Sequence, residues 1–167
     1  MDGKACLQDV RLLLSDMDSK AVSAIAKRCR YKGTGKEYTK ESRLKAGYND
    51  LIRSICGTGG ILNRESRACD EKALAWLSSR VQAGVLVAEI KFKGQPEAYV
   101  DSIRSGNREA ILSAITDEDA EKAVIKRVSD QCKKLGIDGK AVASFYKDVV
   151  IPLTKEVEVE YLMKRLS

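Results

Sequence analysis

Arg80 and Lys91 stand eleven positions apart, which on an α-helix is about 1100° of rotation and leaves both on one face to within roughly 20°. Separated by about 16 Å along the axis, two long cations can lean together over the uncharged stretch from Val81 to Ala88 and hold a small dianion. Equally, they can snorkel from an apolar face to water. Asp117 and Glu121 are an i,i+4 pair in the opening turns of another helix, where the dipole favours anions and where stabilising the terminus is their default role. Thr154 and Glu158 form a second such pair just after Pro152, although Glu156, Glu158 and Glu160 read as a solvated charge run. Arg11 has apolar neighbours, with Asp9, Ser15 and Asp16 near enough for a solvated ion pair.

The chain has no histidine, which removes Ser-His-Asp hydrolysis, Cys-His proteolysis and most zinc chemistry. Any catalysis runs on Arg, Lys, Asp, Glu, Thr, Tyr or Cys. Five cysteines, at 6, 29, 56, 69 and 132, show no CxxC spacing; they read as small buried thiols in a reducing compartment rather than a disulfide framework. Thirty Lys and Arg against 24 Asp and Glu give a formal charge of +6, which suits an anionic partner without separating nucleic acid from a small carboxylate. With 167 residues, 44% hydrophobic and 32% charged, one globular domain over residues 1–167 is expected. No apolar run approaches the roughly 20 residues of a membrane helix. No signal peptide is visible, although a mature secreted form would look the same.

The elements that must position these groups are helices. Only two prolines interrupt the chain, and apolar residues recur at intervals of three and four, which predicts an all-α fold. A first helix is expected from Ala5 to Tyr31, broken by Gly33 and Gly35, and a second from Thr39 to Cys56, ended by a loop at Gly57-Thr58-Gly59-Gly60. That loop lacks the preceding strand and following Gly-Lys-Ser of a phosphate loop. A third helix is expected from an N-capping Asp70 to Lys93, closed by Gly94 and Pro96. Shorter segments follow from Pro96 to Ser105 and from Asn107 to Ile115. Thr116, with Asp119 in the capping-box position, is expected to cap a helix reaching Leu135 before Gly136. The final helix, Asp138 to Leu166, should kink at Pro152.

The run Val149-Val150-Ile151-Pro152-Leu153-Thr154-Lys155-Glu156-Val157-Glu158-Val159-Glu160-Tyr161-Leu162 resembles the end of the eukaryotic, all-helical chorismate mutases of yeast and plants. The third helix is similar to the same family through Leu77-Ser78-Ser79-Arg80, Gly84 and Val87-Ala88-Glu89-Ile90-Lys91-Phe92. Val10-Arg11, Leu14, Asp18-Ser19 and Tyr31 extend the likeness toward the N-terminus, and Ile115-Thr116, Glu121 and Arg127-Val128 fit the helix between.

The resemblance implies a helical bundle in which long N-terminal, central and C-terminal helices surround one active site. It implies an intramolecular Claisen rearrangement of chorismate to prephenate, feeding phenylalanine and tyrosine synthesis, with no cofactor, no metal and no covalent intermediate. Carried over by motif, Arg11 and Arg80 bind the substrate carboxylates, while Lys91 and Glu158 donate to the ether oxygen from opposite sides. Glu121 with Asp117 holds the ring hydroxyl and the adjacent end of Lys91, and Thr154 lines the pocket beside Glu158. The family commonly has Asn where this chain has Asp117; an acid can still accept from the hydroxyl.

Family members are considerably longer, mostly between the first helix and the third, where their effector site for aromatic amino acids lies. Glu65-Ser66 here replaces Gly-Ser, and its carboxylate would repel an amino acid's, so an unregulated enzyme is expected. The implied partner is chorismate, with no nucleic acid and no membrane; a homodimer is left open. The cytoplasm is the expected compartment, with secretion as the alternative, since short unregulated members resemble secreted chorismate mutases of plant-associated organisms. Two rival readings are a secreted effector of the same fold and a basic helical module binding nucleic acid, which would lose affinity steeply with salt.

Overall fold

Buried side chains along the first helix fall at Leu14, Asp18, Ala21, Val22 and Ile25, the three-and-four spacing of a single packed stripe. In the computed structural model, which describes residues 3–30, 43–57 and 63–166, this is helix α1, Gly3–Arg28. It packs chiefly along α3, Arg64–Gln82, whose own buried stripe is Ser66, Asp70, Ala73, Leu77 and Arg80–Val81. Both seams therefore carry charged residues among apolar ones. Helix α2, Arg43–Cys56, adds Leu44, Tyr48, Leu51 and Ile52 to the same core.

The expected third helix is two. α3 ends at Gln82 and α4, Gly84–Gly94, begins after Ala83. The interruption lies against the last helix: a Cβ on Gly84 would sit 2.8 Å from the Thr154 carbonyl oxygen. A 3-10 turn at Pro96–Ala98, α5 at Val100–Arg104 and α6 at Arg108–Ile115 follow. Then come α7, Glu118–Lys134, and α8, Gly139–Phe145. A π-helical turn at Tyr146–Val150 leads into α9, Ile151–Met163. Where a kink at Pro152 is expected, the helix instead carries a wide turn just before the proline, which gives the pyrrolidine ring room against the carbonyls of the preceding turn. Among the described residues there is no strand.

Two caps differ from expectation. Asn63 opens α3 by accepting from the Ser66 N–H at 2.7 Å. Asp70 lies two turns inside, buried, accepting from Tyr48 Oη at 2.8 Å and paired with Arg28 Nε at 2.9 Å. A carboxylate already satisfied by other helices has no need of a helix terminus. Asp117, not Thr116, caps α7 through the Ala120 N–H at 2.9 Å, while the Thr116 hydroxyl donates back to Leu112 O at the end of α6. Asp119 is correspondingly exposed. Tyr31, Gly33, Gly35, the expected start at Thr39 and the Thr58-Gly59-Gly60 loop lie outside the described residues.

A second hydrophobic cluster joins α4, α5, α6 and α9 through Ala88, Phe92, Tyr99, Ile103, Ile111, Ile115, Val159 and Leu162. Its open end is fastened by polar contacts: Tyr161 Oη donates to Glu89 at 2.6 Å and Arg165 Nε at 2.9 Å. The Arg165 and Tyr161 hydrogen bonds hold the Glu89 carboxyl down to about 2. α9 is thereby held against α4 over the turns that carry Lys91 and Glu158. None of the described helices is long and apolar enough to cross a membrane.

Candidate active site

Where α1, α3, α4, α7 and α9 converge they leave a cavity of about 120 Å³. Leu7, Val10, Leu14, Val87, Ile115, Val124 and Ile151 form its apolar lining. Arg11, Arg80, Lys91, Asp117, Glu121, Thr154 and Glu158, the seven residues expected from the sequence, all line it as well.

Arg80 is 5% exposed, and its guanidinium is set by a 2.9 Å bond from Nε to Asp18 Oδ1. Asp18, 1% exposed, receives a second bond, 2.7 Å, from Arg127 Nη2 on α7. Two cations share one carboxylate, so this corner keeps a net positive charge. Arg80 Nη1 is buried and makes no hydrogen bond among the described residues.

Lys91 Nζ donates to Ile115 O at 2.6 Å and lies 3.2 Å from Glu158 Oε2. Burial lifts the Glu158 carboxyl above its ordinary range, against the opposing pull of Lys91, Arg80 and Lys155. The short contact with Lys91 does not require an ionised partner, because an ammonium donates to a neutral carboxyl oxygen as well. The Thr154 hydroxyl is turned to its own helix, donating to Val150 O at 2.8 Å.

The remaining groups are placed nearer the mouth. Arg11 Nη2 lies 3.3 Å from Asp117 Oδ2, with side chains 58% and 48% exposed. Glu121 does not touch Lys91; it accepts from Lys155 Nζ at 2.8 Å. Lys155 also lines the cavity. The site thus holds Arg11, Arg80, Lys91 and Lys155 against Asp117, Glu121 and a Glu158 biased toward its neutral form. That arrangement can bind a small dianion and donate hydrogen bonds to an oxygen gaining negative charge.

Sequence reasoning did not single out Lys155, nor give Asp18 and Arg127 a role. Signals existed for two of them. Lys155 precedes Glu158 by three positions and shares its face. Asp18 falls on the stripe of Leu14 and Ile25, where a charge must find a buried partner.

Known proteins resemble this chain in sequence and in fold. The chorismate mutase type II family profile matches residues 62–159. A chorismate mutase of Emericella nidulans is 39% identical over 148 residues, covering 74% of this chain and 55% of that protein. One from Trichoderma parareesei is 45% identical over 114 residues, covering 59% and 42%. The chain spans about half the length of these curated relatives. The crystal structure of the chloroplast chorismate mutase from Zea mays superposes with a TM-score of 0.84 at 22% identity, over 96% of this chain and 95% of that one. This establishes the all-helical fold.

Proposed function

The chain belongs to the type II chorismate mutase family, and on that premise we propose that it rearranges chorismate to prephenate, an isomerisation in which one C–O bond breaks as one C–C bond forms. The observation that carries this reading is the gathering of four cations and a buried, neutral-leaning Glu158 around one small cavity. A pericyclic reaction needs neither nucleophile nor base. It needs a flexible dianion held in its compact reactive conformer, and donors already in place where charge develops.

In this reading Arg80 and Arg11 bind the two carboxylates. Lys91 and protonated Glu158 donate to the ether oxygen as its bond opens. Glu121 and Asp117 receive the ring hydroxyl, Lys155 orients Glu121 through its hydrogen bond, and Thr154 supports the wall beside Glu158. The lining drawn from α1 through α9 supports one domain over the whole chain. The half-buried thiols at Cys29, Cys56 and Cys69 and the buried one at Cys132 are unpaired, which suits the reducing cytoplasm.

The proposed enzyme is unregulated. Glu65 in the first turn of α3 is the feature that supports this, since its carboxylate would repel that of an amino-acid effector. The test of the activity is to incubate the purified protein, exhaustively chelated, with chorismate and identify the product by NMR. Prephenate is expected. Unchanged chorismate, or conversion only with added metal, would refute the reading.

A further inference from the structure

We propose that Asp117 determines which dianions the cavity accepts, by holding Arg11 until a ligand arrives that offers a hydroxyl donor as well as a carboxylate. The inference rests on the reading that Arg11 binds a substrate carboxylate and Asp117 receives the ring hydroxyl, and it makes the two contacts conditional on each other. The two oxygens of Asp117 have separate partners. Oδ1 accepts from the Ala120 N–H at 2.9 Å and opens α7, while Oδ2 lies 3.3 Å from Arg11 Nη2. Both side chains line the cavity, although they stand 106 positions apart in the chain. The cation assigned to the ligand is thus already engaged by an anion of the protein itself.

A carboxylate entering at Arg11 must share the guanidinium with Asp117, and two anions at one cation repel. An ionised carboxylate accepts hydrogen bonds and cannot donate them, so Asp117 offers nothing to the newcomer's oxygens. A ligand hydroxyl reverses the balance. It donates to Oδ2 as Arg11 turns to the ligand, so each partner of the broken pair gains a replacement. A dicarboxylate without a hydroxyl satisfies Arg11 but leaves Oδ2 facing another anion, in a cavity that Glu121 also lines. Because the pair is about half exposed, the discrimination it supplies is about two- to fivefold.

Asp117→Asn separates the two roles of the side chain. Asn caps a helix as well as Asp does, so its oxygen stays on the Ala120 N–H and Nδ2 takes the place of Oδ2, a donor that releases Arg11 and welcomes a carboxylate. The experiment measures by calorimetry the binding of adamantane-1,3-dicarboxylate, which has no hydroxyl, and of prephenate, which has one. The expected result is a Kd for the hydroxyl-free dicarboxylate about two- to fivefold lower in Asp117→Asn, with a smaller gain or a loss for prephenate. Asp119→Asn removes the same charge from the same turn at an exposed side chain outside the cavity, and should leave both values within about 1.5-fold. In an Arg11→Ala background the gain should vanish. No binding of either dicarboxylate, an unchanged Kd, an equal gain for prephenate or in Asp119→Asn, or a gain that survives the loss of Arg11 would overturn the proposal. Chorismate turnover is recorded on the same samples; its absence beside the expected affinities would refute the catalytic reading and leave the Arg11–Asp117 exchange standing.

Discussion

The inner wall of the cavity and its rim are built from the same kinds of residue in different surroundings. On the wall, Arg80 and Glu158 are each 5% exposed, and Lys91 is fixed between a backbone carbonyl and Glu158. At the rim, Arg11 and Asp117 face each other from α1 and the start of α7 while remaining about half exposed. Ion pairs of the first kind are ordered when the chain folds and act in a lower dielectric; those of the second are screened and worth about 0–1 kcal/mol. The wall is thus suited to stabilising a transition state, and the rim to capturing a dianion.

The largest expected effect comes from breaking the wall. Arg80→Ala should lower kcat/KM more than tenfold, since a charge-assisted contact to substrate is worth roughly 1.5–3 kcal/mol. Arg104→Ala and Arg108→Ala, at exposed positions, should change it less than about twofold. Steady-state kinetics on variants with native circular dichroism make the comparison; equal losses at all three would place the site elsewhere.

Gly84→Ala tests whether the wall depends on the close approach of α4 and α9. Its Cβ would meet the Thr154 carbonyl at 2.8 Å and Glu158 Cγ at 3.3 Å, so α9 must shift, at a cost of about 1–3 kcal/mol in urea unfolding. Gly94→Ala, with nothing within 4 Å, should be neutral or slightly stabilising. Matching losses at both positions would remove the packing argument.

At the rim, Arg11→Ala should raise KM severalfold with a smaller change in kcat, and the difference from the parent should shrink with added salt. A salt-independent loss confined to kcat would move Arg11 onto the wall. The smallest expected effect is none: phenylalanine, tyrosine and tryptophan should leave the chorismate saturation curve unchanged. A sigmoidal curve made hyperbolic by tryptophan would show that Glu65 does not block an effector.

The wall and rim also differ in how far the sequence discloses them. Helical spacing puts Arg80 with Lys91 and Thr154 with Glu158, and family resemblance brings those pairs to one site. Spacing along one helix says nothing about which helix answers it. Asp18 bridging Arg80 and Arg127, and Lys155 taking Glu121 from Lys91, are contacts between elements far apart in the chain. The same blindness explains Asp70, whose type and position suit a cap until Arg28 and Tyr48 are seen to enclose it. Pro152 announces a distortion, but only packing decides that the wide turn falls at Tyr146–Val150.

The most direct test of a wall prepared for charge development is the pH–rate profile of the parent beside Glu158→Gln. Burial raises the Glu158 carboxyl, so the protonated, donating form persists above the ordinary carboxylate range and is lost as pH rises through the raised value. Parent turnover should therefore be full below that value and fall above it. The Gln amide donates at every pH, so the variant should lose this alkaline fall and gain on the parent as pH increases. An unchanged fall in the variant would mean that another group titrates and that Glu158 is not the donor.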